Sequence, residues 1–563
     1  MFRIISALTT FLIISAIYAD NASCQHMPDS YFKEPTSQAG ARNVDLPKRK
    51  NRLEIRTIAE LTQPDTEYFL VQDIKSAATA LTVKASHITI NLNGHKITYL
   101  DQNGSLQGSG ILISGKRKDI DILNGEIVQG QGSCINETGT PECSAVYAQD
   151  IVDLQMAGLK ITYGAQNSPA VYAVQGRELH IYNNTFHDTG TSTTKTQVYT
   201  IDTKNSADTK IYNNSIRSER QSAIAAGLNS DIFQNEIRIQ SIKTSAVGIS
   251  FITGIVRQNR IFLDGRNITG LVAGKQGKIL SNHIQIRAAR RSEDISDSSG
   301  VCIKVSGASE NTEIASNLLE LYAESEKTIS TSVYVSVLNK NNKVQISNNY
   351  ISALGRSSRA RASAITIAGN NESLHLTFRN NKIMSSWTNI LFGDQTGHAG
   401  GSAVFTENTF IMSDKYAGYS TIRSLHTSRD FSAYFFSNKY ESDASKESID
   451  FEAKGMVFKE LGFGWTIDIA VTNAGKPVSN ASVVVKDSFG SLAFEGFTND
   501  KGLIRTYLVE YVLTGQAPAA MQSRHQKHFI KYSTPHKIQV KKNELSEEKN
   551  IRAESSRIVI ISL

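Results

Sequence analysis

The sequence predicts an all-β protein in two parts, a solenoid of stacked coils over residues 55–445 and a small β-sandwich over residues 446–563. Three observations carry this reading. A hexapeptide with Asn in its fourth place between apolar residues returns ten times, as IYNNTF (Asn184), IYNNSI (Asn214), IFQNEI (Asn235), VRQNRI (Asn259), ILSNHI (Asn282), IASNLL (Asn317), ISNNYI (Asn349), FRNNKI (Asn381), FTENTF (Asn408) and FFSNKY (Asn438). The intervals run from 21 to 35 residues, inside the range of about 20–50 residues that marks a solenoid. Between these hexapeptides a second strand recurs. After Asn438 both patterns stop.

Taken from the start, Met1-Phe2-Arg3 precedes an apolar run over residues 4–19 that is too short for a membrane span and ends in Ile-Tyr-Ala. This reads as a secretory signal peptide over residues 1–19, followed by a polar segment over 20–54 and implying a secreted or periplasmic protein. Cys24 invites lipid anchoring, but Asn21-Ala22-Ser23-Cys24 lacks the Leu-like residue such sites carry. No later stretch approaches 18 apolar residues, so no transmembrane segment is expected. Cys134 and Cys143 flank a polar loop and are expected to close it as a disulfide. Cys24 and Cys302 have no evident partner, and no His/Cys spacing suits zinc.

The chain is 40% hydrophobic and 20% charged, with a net charge of +7 spread over 563 residues. No block of Lys and Arg interleaved with aromatics occurs, so nucleic acid is not an expected partner. A monomer is expected.

The recurring strand aligns as SAVYAQ (144–149), PAVYAV (169–174), QVYTID (197–202), SAIAAG (222–227), SAVGIS (245–250), TGLVAG (269–274), SGVCIK (299–304), TSVYVS (331–336), SAITIA (363–368) and TNILFG (388–393). Its third and fifth places are always apolar and the fourth and sixth vary, the period of two expected of a strand with one face buried. Such a unit buries its apolar face only by stacking on its neighbours. The Asn is expected at the corner of each coil. There it would take the left-handed backbone of a tight bend and bond its stacked amide along a ladder. The sequons these Asn residues form are read as corners rather than glycosylation sites.

The segment ITINLNGHKI (88–97), preceded by TEYFLVQDI (66–74), resembles the opening coil of the right-handed parallel β-helix proteins of the pectate-lyase-like superfamily, over roughly residues 55–445. The resemblance implies a right-handed parallel β-helix. It leaves function open, since that superfamily holds lyases, hydrolases, epimerases, adhesins and binding proteins. Residues 468–511 alternate between Asn-Ala-Gly, Asp-Ser-Phe-Gly and Asn-Asp-Lys-Gly turns. They are similar to the carboxypeptidase-regulatory-like, transthyretin-type β-sandwiches, which implies a cap or spacer.

In this alignment Tyr172 and Asp202 stand outward at one end of a floor of small residues, including Ala225, Gly227, Gly248, Ser250 and Gly274, with Lys304 and Tyr334 at the other end. Cys302 also points outward, where a thiol packed beneath a loop is the expected reading. Loops entering the strand carry His187, Arg217, Arg220, Arg290 and Arg291. Small residues let a sugar chain approach, and Arg forks match carboxylates, so an acidic polysaccharide is the expected partner. Hydrolysis needs two carboxyls flanking the bond, and only Asp202 is offered. β-Elimination needs a cation on the uronate carboxylate and a base for the C5 proton. Lys304, Arg220, Arg290, Tyr334 and His187 are the candidate catalytic residues, and Tyr172, Asp202, Gly227, Gly248, Ser250, Arg217 and Arg291 the candidate binding residues. No cofactor is expected. Ca²⁺ at Asp202 is the alternative neutraliser, but no second carboxylate stands beside it. A polysaccharide lyase is therefore expected, with a C5-epimerase or a non-catalytic glycan-binding or surface-assembly β-helix as the alternatives.

Overall fold

A computed structural model describes residues 48–104, 107–132, 143–164, 168–190, 198–241, 245–288, 299–307, 311–324, 329–337, 343–355, 360–368, 375–393, 401–413, 419–424, 431–451, 459–515 and 529–563. The chain is a right-handed parallel β-helix, and no helix occurs among the described residues. Each repeat lays down a strand on a first face, turns onto a second face, passes the Asn corner and adds a strand to a third face. Strands of the same face pair in parallel from coil to coil. On the first face Val146–Gln149, Val171–Tyr182, Tyr199–Tyr212 and Ser222–Leu228 follow one another in register. The third face includes Thr185–Asp188, Ser215–Ser218 and Glu236–Ser241.

The inward residues are mainly Ile, Leu, Val and Phe, fully buried in one continuous core from Ile55 to Leu513. β-Branched side chains suit that interior because their restricted χ1 fits a pleated surface. Towards the C-terminal end the filling becomes aromatic. Phe378, Phe405, Phe435, Phe463 and Tyr511 form a stack with successive centroids 4.5, 4.7, 5.1 and 5.2 Å apart.

The Asn corners form one ladder. From Asn184 to Asn438 each side-chain amide except the last donates to Oδ1 of the next corner Asn at 2.9–3.1 Å. The left-handed residue, however, is the one before each Asn. Asn183, Asn213, Gln234, Gln258, Ser281, Ser316, Asn348, Asn380, Glu407 and Ser437 have φ of 53–58°. That outward residue makes the bend, and the bend aims the Asn side chain into the wall. The conformational tolerance of Asn is thus used only where the preceding residue happens to be Asn.

At the N-terminal side the segment before the first strand is tied to the coils, and at the C-terminal end the stack is covered. At the N-terminal end Arg49, its side chain 8% exposed, donates to Asp119 at 2.7 and 2.8 Å, to Asp121 at 2.6 Å and to Thr89 at 3.0 Å. The hydrogen bond from Arg49 holds the Asp119 carboxyl down to about 2, whereas burial shifts Asp121 upward. At the other end, stacking continues past residue 445. Ile449–Phe451 pairs with Ser420–Ser424, and Lys459–Asn473 pairs with Phe431–Phe436. Leu503–Gly515 then runs antiparallel to Lys459–Asn473, occupying an edge that would otherwise present free backbone groups. The far half of Lys459–Asn473 continues into a second core. There Ile467, Ile469, Val471, Leu508 and Val559 face Val483, Val485, Ile538 and Val540 of a separate four-stranded antiparallel sheet.

Candidate functional site

Backbone pairing fixes which residues share a column. Val171 lies opposite Ile201, then follow Ile224, Ile249, Leu271, Ile303 and Val333. The strands aligned from sequence at 197–202, 245–250 and 299–304 are therefore displaced by two residues. The outward column of the first face reads Tyr147, Tyr172, Asp202, Ala225, Ser250, Val272, Lys304, Tyr334, Thr366 and Leu391.

Register and burial together correct several expectations. Gly248 faces inward: a Cβ there would stand 2.8 Å from the Ile261 side chain and 2.4 Å from the Gly270 carbonyl. Cys302 also turns into the core at 0% exposure, its thiol directed at the Glu320 carbonyl at 3.6 Å and pushed far up by burial. Gly227 and Gly274 are corner glycines rather than floor. Added Cβ atoms would meet Ser206 O at 1.8 Å and Ile252 O at 2.2 Å. Ala225 does face outward, yet it is only 3% exposed. Burial pushes the hydroxyl of Tyr199, on the coil before Ala225, up to about 12, with Ser250 and Asp202 acting on it as polar neighbours.

The rest of the column forms two groups. At one end the rings of Tyr147 and Tyr172 lie 5.7 Å apart at 40°, and burial, then the charge of Asp202, raises the Tyr172 hydroxyl. Asp202 is 6% exposed, receives the Lys204 backbone N–H at 3.2 Å and lies 3.4 Å from the Lys204 ammonium. At the other end the Lys304 ammonium stands 5.9 Å from the centroid of the Tyr334 ring, both residues being half-buried. The two groups are four coils apart, about 19 Å at the usual strand spacing.

Among the described residues, part of the expected cationic wall is in place. His187, Arg217 and Arg238 stack in register on the third face and are exposed. The Arg220 side chain is 7% exposed and donates through Nε to Asp188 at 2.9 Å, and Asp188 also accepts from Ser218 at 2.9 Å. It braces the wall from inside. Arg290, Arg291, Cys134, Cys24 and residues 1–19 lie outside the described residues, while Cys143 is buried. Among the described residues no group of three His, Cys, Asp or Glu side chains is placed to hold a metal ion, and no helix is long and apolar enough to cross a membrane.

The sequence reading missed a depression beside Asp202. Tyr199–Tyr212 pairs Thr203 with Ala226 but Ala207 with Leu228, so it carries two surplus residues at this bend. Ser206 pins the bulge, accepting from Gly176 N and donating to Ala173 O, both at 3.0 Å. The bulge opens a cavity of about 390 Å³ lined by Gln175, Gly176, Arg177, Lys204, Asn205, Ser206, Ala207, Leu228 and Ile252. Bulges re-aim side chains in this way beside binding sites. The polar run DTKNSADTK (202–210) between two apolar strands was its only trace in the sequence.

No protein-family model and no curated protein matches the chain. Among solved structures it is similar to the tailspike protein of Escherichia coli bacteriophage HK620 in complex with a pentasaccharide, at 9% identity and a TM-score of 0.34, over 88% of this chain and 85% of that one. It is similar to PfbA, a surface adhesin of Streptococcus pneumoniae, at 11% identity and a TM-score of 0.28, over 87% and 92%. The catalytic domain of a GH87 alpha-1,3-glucanase follows at 12% identity and a TM-score of 0.24, over 73% and 64%. Likenesses this loose do not extend to what this chain does.

Proposed function

We propose that the protein holds an acidic polysaccharide lengthwise along the outward column of the first face and cleaves it by β-elimination at Lys304 and Tyr334. The observation that carries this reading is the placement of an ammonium and a phenol on adjacent coils, facing outward, 5.9 Å from nitrogen to ring centroid. Lys304 supplies the cation that pairs with the uronate carboxylate and makes the C5 proton acidic. Tyr334, as its phenolate, takes that proton, the bond from C4 to the departing glycosidic oxygen breaks to leave a C4–C5 double bond, and the same phenol hands the proton to the departing oxygen, returning to phenolate. A C5-epimerase would use the same pair and return a proton to C5.

A second reading, binding without cleavage, is favoured by the distance between Asp202 and Lys304 and by the burial of Arg220 against Asp188. These groups cannot converge on one sugar. Incubation with alginate, pectate and glycosaminoglycans separates the two readings. Ultraviolet absorbance of an unsaturated uronate supports elimination. Retention of the same polymers without absorbance leaves binding, and no retention of any of them overturns both.

A further inference from the structure

We propose that the depression at the Thr203–Ala207 bulge is a subsite for one carboxylated sugar branching from the chain on the first face, an inference that rests on the reading of that face as glycan-binding. Its lining combines two chemistries. Arg177 and Lys204 bring positive charge, with the amides of Gln175 and Asn205 beside them. Leu228 and Ile252, from consecutive coils, expose 49% and 41% of their surface in the same depression. A neutral sugar would leave the guanidinium unused, and an inorganic anion would leave the aliphatic surface wet. A uronic acid uses both, its carboxylate on the fork of Arg177 and the C–H face of its ring on Leu228 and Ile252.

Size and position specify the rest. A volume of about 390 Å³ lies at the small end of the ~300–1,000 Å³ typical of small-molecule sites, room for a ring or two rather than a polymer. The depression sits where the chain turns from the first face to the second, so a glycan running along the helix axis passes beside it. Lys204 joins the two places, reaching into the lining while its ammonium stands 3.4 Å from Asp202 in the outward column. Only a substituent leaving the main chain sideways reaches the depression, which makes the implied ligand a branched acidic glycan.

Titration with methyl glucuronide and methyl glucoside, followed by saturation-transfer NMR, tests this on the full chain. The parent should prefer the glucuronide by about tenfold or more, the usual worth of a charge-assisted hydrogen bond. Measured in the Lys304→Ala background, which removes the uronate contact of the first face, the preference should persist, and adding Arg177→Gln, a change at an exposed side chain, should abolish it. Equal binding of both sugars in that background, no binding of the glucuronide to the parent, or a preference that survives the added Arg177→Gln overturns the subsite. Glucuronide binding by a protein that retains no acidic polymer keeps the subsite and removes the first-face reading. Polymer retention without glucuronide binding does the reverse.

Discussion

The side-chain amide of Asn259 donates to Oδ1 of Asn282 at 3.0 Å, and the Asn259 backbone N–H reaches the same oxygen at 3.0 Å. The amide also donates to Ile232 O and Arg257 O, while Asn259 Oδ1 accepts both the backbone and side-chain N–H of Asn235. One side chain thus satisfies groups on three coils. Asn259→Ala should lower stability by about 3 kcal/mol, because buried donors and acceptors lose their partners together. Asn438→Ala, at the end of the ladder, should lower it less. Urea unfolding of the two variants checks this, and equal losses would show that the ladder adds nothing beyond individual bonds.

Gly248→Val should destabilise the helix by about 1–3 kcal/mol or more, since the added carbons enter a packed wall. Val272→Thr, a change on the outward column, should be nearly neutral. Thermal melts of both variants decide the register, and a Gly248→Val protein as stable as Val272→Thr would put the glycine back on the surface.

If elimination occurs, Lys304→Ala and Tyr334→Phe should each reduce the rate by about 10²-fold or more with the circular dichroism spectrum unchanged, the scale expected for groups acting on the proton in transit. Asp202→Asn, four coils away, should alter KM and leave kcat nearly constant. A full rate in both Lys304→Ala and Tyr334→Phe would move the chemistry elsewhere on the molecule.

His536 is 1% exposed, has no partner at Nδ1, and is held neutral by burial with its pKa lowered to about 4. In the unfolded chain the ring protonates near 6.5, so its contribution is complete above about pH 6.5 and fades as pH falls towards 4, a loss of about 3 kcal/mol. The unfolding midpoint of the C-terminal region should drop over that interval. His536→Leu should flatten the drop, and an equally steep fall in the variant would assign the effect to other groups.

The solenoid was legible because its corner requires a particular chemistry. A short amide accepts two bonds at its oxygen and donates both to the next amide and to backbone carbonyls, so Asn184, Asn214, Asn235 and their successors stand out in the sequence. The site was less legible for a geometric reason. Alternation with a period of two is unchanged by a slip of two, so the strands at 197–202, 245–250 and 299–304 could be placed on either of two rungs. The alternation itself breaks just before Ile249 and Ile303, where Gly248 and Cys302 turn inward beside an inward neighbour. Distance to the corner offered no correction. Ile249 stands ten residues before Asn259, whereas Ile390 stands eighteen before Asn408, because the turn between the first and second faces varies in length. Lys304 and Tyr334 kept their outward aspect through the slip. Arg220 as a brace and the bulge at Ser206 depend on contacts across coils, which no local pattern encodes.

Lys459–Asn473 belongs to both cores, pairing first with the last coil of the helix and then with Arg557–Ser562. The two regions therefore meet without a hinge. Rotation applied to the C-terminal region passes directly into the coils, as through a shaft and not along a cord. Whatever that region grips, it fixes the compass bearing of the first face, so the column that carries Lys304 would be presented to its surroundings at one constant angle.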